Sequence, residues 1–209
     1  AELEQHIGAR VDRIYQPAKD EILLVLRWKG GSGRLLLSAN ANNARIHWTE
    51  LPPENPKVPP MFCMFLRKRL GSGKLVAVRQ LSLDRVLYLD FETTNELGDL
   101  QVLTLSVEIM GRHSNLILID GEGVILDAVK RVDRSMSALR PVLPGARYLD
   151  PPLQDKLNLL NDGTQEVLER LQASPHLPLS KALLQTIQGI SPILARELAD
   201  RVCRGEDPH

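Results

Sequence analysis

Cysteine is nearly missing from this chain of 209 residues, which has only Cys63 and Cys203. The two lie far apart and outside any C-x-x-C spacing, so neither a disulfide framework nor a zinc site is indicated, and both are expected as small buried hydrophobes. Aromatic residues are scarce as well, at 4%, which argues against a general single-strand binder built on a platform of stacking rings. Net charge is absent: 26 Lys and Arg balance 26 Asp and Glu, so whole-chain charge gives no case for a nucleic-acid partner. No apolar run approaches the roughly 18 to 20 residues that span a bilayer, and no basic stretch leading into an apolar one opens the chain. A membrane partner is therefore not expected, and a cytosolic protein is. Gly71-Ser72-Gly73-Lys74 hints at a phosphate loop but has Lys68 where the Walker pattern needs its first glycine and Leu75 where it needs Ser or Thr. Nucleotide binding there is excluded on mechanism, and no cofactor or metal is expected.

What is present is ordinary globular material, 43% apolar and 25% charged, enough for one or two domains with real cores. Short apolar or alternating runs at 11–16, 21–28 and 34–39 predict strands, with Lys29-Gly30-Gly31-Ser32-Gly33 as the turn between the last two. A proline-rich loop follows. Beyond it, 61–70 predicts a helix opened by Pro59-Pro60 and closed by Gly71, with Arg67-Lys68-Arg69 at the negative end of its dipole. Runs at 75–80, 86–91, 102–110, 115–119 and 124–129 then predict a meander of mostly antiparallel strands. Past Arg134 prolines accumulate and the apolar spacing turns helical, as in Leu194, Leu198 and Val202. A boundary near Pro151 gives two expected domains, 1–150 and 151–209.

The charge balance is uneven within this frame. Residues 57–85 hold seven basic side chains and one acid, Asp84. That is a candidate phosphate-binding patch, with Arg67, Lys68, Arg69, Lys74 and Arg79 as its members. Asp84-Arg85 places an acceptor beside a planar donor fork between two strands, although a plain turn ion pair has the same composition. Arg112, His113 and Asn115 interrupt two apolar strands with directional donors, which suggests a polar cluster for binding or for structure. Gln188-Gly189-Ile190-Ser191-Pro192 joins two helical stretches, with Ser191 as N-cap, Pro192 as first helical residue and Ala195 where two helices would cross closely. This pattern resembles a helix-hairpin-helix, whose turn can hold a phosphate. A hairpin used only for packing is the simpler alternative.

Met110-Gly111-Arg112-His113-Ser114-Asn115-Leu116-Ile117-Leu118, preceded by Leu83-Asp84-Arg85-Val86 and by Pro59-Pro60-Met61-Phe62, resembles the N-terminal region of the NFACT family. Val11-Asp12-Arg13-Ile14-Tyr15-Gln16-Pro17, Glu96-Leu97-Gly98-Asp99-Leu100 and Arg140-Pro141-Val142-Leu143-Pro144-Gly145-Ala146-Arg147-Tyr148 match in the same order, so the similarity covers nearly the whole chain. The resemblance implies an α+β fold: a mostly antiparallel β domain with flanking helices, related to the N-terminal domain of formamidopyrimidine-DNA glycosylases, then a small all-α helix-hairpin-helix domain. It also implies a function. Family members bind the large ribosomal subunit obstructed by peptidyl-tRNA and recruit charged tRNA, alanyl-tRNA in bacteria, to extend the nascent chain without a template. The family's Asp-Arg pair, required for this tailing, falls on Asp84 and Arg85. An acidic residue of the family's first helix has no counterpart, nor do its long coiled coil and C-terminal domain. With Ala1 rather than methionine at the start, a piece of a longer protein is expected.

On this reading the chain is an RNA-binding module and not an enzyme, with Asp84, Arg85, Arg112, His113 and Asn115 as its tRNA-contact residues. Two other classes compete. A DNA glycosylase of the related fold needs an N-terminal proline amine as nucleophile, and this chain opens on Ala1-Glu2-Leu3. An extracellular fibronectin-binding adhesin would need an export signal, for which nothing in the sequence speaks.

Overall fold

The computed structural model describes residues 2–137, 139–152 and 155–205. The fold is α+β, with a nine-stranded antiparallel sheet and four α-helices among the described residues. It divides into two compact units, the first formed by 1–81 and 85–149 and the second by 82–84 and 150–209. The short turn 82–84 thus belongs with the second unit, which no single cut along the chain could assign.

In the first unit, β1 (Arg10–Tyr15), β2 (Glu21–Trp28), β3 (Gly31–Ser38) and β4 (Arg45–Trp48) are followed by α1 (Met61–Leu70). Then come β5 (Lys74–Gln80), β6 (Val86–Thr94), β7 (Leu100–Glu108), β8 (Asn115–Ile119) and β9 (Ile125–Ala128). The spatial order is β4-β3-β2-β1-β5-β6-β7-β8-β9. Consecutive hairpins generate this order except at β1–β5: the chain passes from β4 through α1 to β5, which then pairs with β1 at Arg10 opposite Lys74. β2 and β3 join through Lys29-Gly30 alone, with Gly30 at φ 92° supplying the left-handed residue a two-residue turn needs. Gly31, Ser32 and Gly33, predicted as turn, are instead paired strand residues. The sequence reading also missed β4, a short run whose residues are half-buried or exposed.

Helix α1 buries Phe62, Cys63, Leu66 and Leu70, a 3.6-residue stripe, against the core that contains Ile14, Leu24, Leu37, Leu89, Phe91 and Leu105. Each such side chain contributes about 1.5–3 kcal/mol when fully buried. The helix closes at Gly71 as the spacing predicts, with the Gly71 amide donating to the Arg67 carbonyl. Gly71 has φ −55°, and the left-handed residue is Ser72 at φ 62°. Gly71 is needed for space: a Cβ there would lie 2.5 Å from the Arg67 carbonyl oxygen. Of the two cysteines, Cys63 is buried as expected, but Cys203 is exposed.

The second unit contains α2 (Thr164–Gln172), α3 (Leu179–Thr186) and α4 (Pro192–Arg204) around a small core of Leu157, Val167, Leu183, Ile187 and Ala195. Ala195 is fully buried. Leu194 and Val202, predicted on the buried stripe, are 48% and 55% exposed. The narrow face of α4 that carries Ala195 does the packing. No helix among the described residues is long and apolar enough to cross a membrane.

Candidate functional site

Strand β5 ends at Gln80, and the Leu81 amide donates to the Val86 carbonyl, closing the turn that leads into β6. Ser82 takes φ 51° within this turn. It accepts a hydrogen bond from Asn158 Nδ2 at 3.0 Å, while Leu83 lies against Gly189. Asp84 is half-buried and counts with the second unit; Arg85 is exposed and counts with the first. The Arg85 carbonyl accepts from the Ile109 amide at 2.8 Å, so its backbone is fixed at the end of the β6–β7 ladder. Among the described residues the Arg85 guanidinium makes no hydrogen bond or ion pair.

Register carries Val86 opposite Glu108, and Glu108 opposite Asn115. Arg85 and the turn after β7 therefore lie at the same end of the sheet. That turn is a 3-10 segment, Gly111–His113, in which Gly111 adopts φ 55° and the buried Ser114 hydroxyl accepts from the Met110 amide at 2.8 Å. Arg112 and His113 are exposed, and Arg112 Nε donates to His113 Nε2 at 3.0 Å. Asn115 has another role. It is buried, its Nδ2 donates to the Lys130 carbonyl at 2.7 Å, and its Oδ1 accepts from the Lys130 and Leu116 amides. The side chain acts as an extra peptide group bridging two segments, with its oxygen filled and one of its two N–H donors engaged in a buried position. Lys130 in turn donates through Nζ to the Ala39 carbonyl, and burial pulls its ammonium below the ordinary lysine value.

Beneath this end of the sheet is a network the sequence did not reveal. Glu108 is completely buried and receives both terminal nitrogens of Arg140, whose Nε donates to the Leu149 carbonyl at 2.7 Å. Tyr148 donates to Glu108 Oε1 at 2.9 Å and meets the Ser106 hydroxyl at 3.0 Å. Burial alone would lower the Arg140 guanidinium; the hydrogen bond and charge of Glu108 outweigh it and raise it. Burial, reinforced by the Glu108 charge, pushes the Tyr148 phenol far above its ordinary value. Arg140 and Tyr148 stood out in the sequence as a matching segment, but their partner is some 30 to 40 residues away and nothing local points to it.

The cationic stretch proves to be much less free than its count suggests. Arg67 Nε donates to the Ile14 carbonyl at 2.8 Å and the guanidinium stacks over Tyr15. Lys68 pairs with Glu96 at 2.8 Å, and Arg69 lies over Phe65. Arg79 grips Asp90 through Nε at 2.8 Å and Nη2 at 2.9 Å while stacking over Tyr88. Burial pushes the Asp90 carboxyl up, but the hydrogen bonds from Arg79 and Thr104, with the Arg79 charge, hold it below its ordinary value. Both acids come from outside 57–85, so the one-sided window does not translate into a one-sided surface. Lys74, the remaining member, opens β5 and is half-buried.

In the second unit, α3 and α4 are joined by a turn with Gly189 at φ 78° and with Ser191 Oγ accepting from the Leu194 amide at 3.1 Å. Among the described residues no group of three or more His, Cys, Asp or Glu is arranged to hold a metal ion.

Residues 1–208 match the family described as NFACT N-terminal and middle domains. The chain is 41% identical over 199 residues to the Rqc2 homolog RqcH of Bacillus subtilis, covering 95% of this chain and 35% of that protein. It is 28% identical over 187 residues to the human ribosome quality control complex subunit NEMF, covering 86% and 16%. It thus spans about a third of the length of the bacterial relatives it matches. Among solved structures, the N-terminal domain of the fibronectin-binding protein PavA from Streptococcus pneumoniae superimposes with a TM-score of 0.87 at 34% identity, covering 98% of this chain and 76% of that one. The N-terminal part of the fibronectin/fibrinogen-binding protein from Streptococcus suis does so with a TM-score of 0.85 at 38% identity, covering 96% and 75%. The chain belongs to the NFACT family, and its named relatives include Rqc2 homologs and a subunit of the ribosome quality control complex.

Proposed function

We propose that the chain is the tRNA-binding and ribosome-binding module of a cytoplasmic ribosome quality control factor. On this reading it helps hold the obstructed large subunit with its peptidyl-tRNA, and recruits charged tRNA, alanyl-tRNA in the bacterial case, for template-free tailing. It performs no bond chemistry itself. The observation that carries the reading is the exposed Arg85 guanidinium, unpaired among the described residues, at the sheet end that also carries Arg112 and His113. A planar donor fork with no partner among the described residues suits a phosphate pair or the edge of an exposed base. Asp84 is the other half of the tailing pair by family resemblance. The α3–α4 hairpin, read as a helix-hairpin-helix, would add backbone donors at a helix start. Asn115 is left out of the contact set because its amide is buried and ties the Lys130 backbone.

The test is Arg85→Ala in the longer protein that contains this chain. Tail extension is expected to fail while the fold and subunit binding persist. Tailing at the wild-type rate would overturn the assignment. The names of the solved neighbours favour a second reading, fibronectin binding. Fibronectin capture by this chain that survives Arg85→Ala, alongside failure to bind tRNA or ribosomal subunits, would select it.

A further inference from the structure

The few aromatic residues are not evenly scattered. Both tryptophans of the chain, Trp28 at the end of β2 and Trp48 at the end of β4, meet His6 in one half-buried corner of the first unit. The His6 ring lies 4.2 Å from Trp28 and 4.9 Å from Trp48, and the two indoles are 5.9 Å apart at 67°. Their floor is Gly33 of β3: a Cβ there would fall 2.9 Å from both Trp28 Cη2 and Trp48 Cζ3. The indoles thus come together over a strand position that has no side chain. Above them is an open cavity of about 520 Å³ rimmed by Arg34 and Glu50. Arg34 donates through Nη1 to the Glu50 carbonyl at 3.3 Å, which holds the guanidinium at the rim, and among the described residues it forms no ion pair.

We infer that this corner is a nucleotide-binding pocket, in which one base stacks on an indole face and its phosphate meets Arg34. Steeply inclined rings leave no parallel slot for two bases, but they give one base a face to stack on and an edge to stop against. The volume suits one nucleotide. The guanidinium held at the rim offers a phosphate a charged donor. Glu50 on the same rim would instead draw a quaternary ammonium, the other ligand that such an aromatic corner accepts, and tetramethylammonium is the probe for that outcome. The nucleotide could be free or one unpaired residue of an RNA strand. In the second case the inference extends the RNA-binding reading above and rests on it. The site lies away from Arg85, on the strands β2 to β4.

Because the chain holds no other tryptophan, its tryptophan emission, excited beyond the tyrosine absorption, reports this pocket alone. Adenosine monophosphate should quench the emission saturably. Gly33→Ala, which wedges the rings apart without removing either, should weaken that binding about tenfold, as should Arg34→Gln at the unstrained rim. A small hairpin RNA with one unpaired loop base serves as the second probe. Saturation at lower concentration than the monophosphate assigns the pocket to an RNA strand, and the reverse order assigns it to a free nucleotide. No saturable change with either probe, or quenching by tetramethylammonium that neither probe displaces, overturns the inference. A flat titration combined with loss of tailing in Arg85→Ala would remove this pocket and leave the tRNA reading standing. Saturable binding with tailing intact in that variant would do the opposite.

Discussion

Arg79 and Arg85 stand six positions apart and have opposite fates. Arg79 is clamped on Asp90 and stacked on Tyr88; Arg85 has its backbone fixed and its guanidinium open. Arg140 goes further than either, with its side chain 16% exposed against a Glu108 carboxylate that is wholly buried. The difference lies in what the neighbouring strand presents at the same level. Asp90 of β6 pairs opposite Ala77 of β5, within reach of Arg79 two residues on, whereas Arg85 lies past the last paired row. A cation is available for a ligand where the sheet ends, and is consumed by the fold where the sheet continues. Counting charges along the chain cannot separate the two cases.

Stability measurements can break this contrast. The largest effect is expected for Arg140→Ala, which strands a buried carboxylate and should cost about 3–5 kcal/mol; replacing Glu108 and Arg140 together by Leu and Met should recover most of it. A denaturant midpoint for Arg140→Ala close to wild type would mean the network is ornamental. Arg79→Ala is expected to cost about 1–3 kcal/mol, less because Arg79 is itself 55% exposed and partly solvated. This loss should depend on pH. Asp90 is held below its ordinary value of 3.8, so its contribution is fully present above that value and disappears as pH falls through its lower folded value. Wild type and Asp90→Asn should therefore differ in stability at pH 7 and converge in acid; a gap that widens on acidification contradicts the pairing. In the second unit, Ser191→Ala should cost about 1 kcal/mol through loss of the α4 cap. Arg85→Ala should be smallest, within about 0.5 kcal/mol of wild type, although it is the variant expected to abolish tailing. A large destabilisation there would show that Arg85 belongs with Arg79 as part of the fold.

The parts of the fold visible in the sequence are those where local pattern and tertiary environment agree. Helix 61–70 and strands 21–28 and 115–119 have the bounds the apolar spacing predicts. The misses have a common cause. Gly31-Ser32-Gly33 looks like a turn because glycine weakens a strand, yet Trp28 and Trp48 from neighbouring strands cover the gap the glycines leave. β4 is short and mostly half-buried, so no alternation marks it. At the candidate site, Arg85, Arg112 and His113 are exposed as a contact role requires. Asn115 was singled out for a donor and acceptor pair that the backbone of Lys130 takes up. Glu108 gave no signal because a glutamate in an apolar strand reads as a solvent-facing alternation, and its partner Arg140 lies across a long connector. Similarity along the whole chain supplied the family; single motifs would not have done so.

The two rims of the nine-stranded sheet have a consequence of their own. A sheet this wide is a template on which other chains can pair, strand by strand. Here the outermost strands, β4 and β9, are the shortest, with four residues each, a rim of about 14 Å at 3.4 Å per residue. That of β9 is already engaged, since Ile125 exchanges backbone hydrogen bonds with Gly145 and Ala146. Extension of one molecule's sheet into the next has little backbone left to begin on, so the chain is protected against edge-to-edge aggregation when it is crowded.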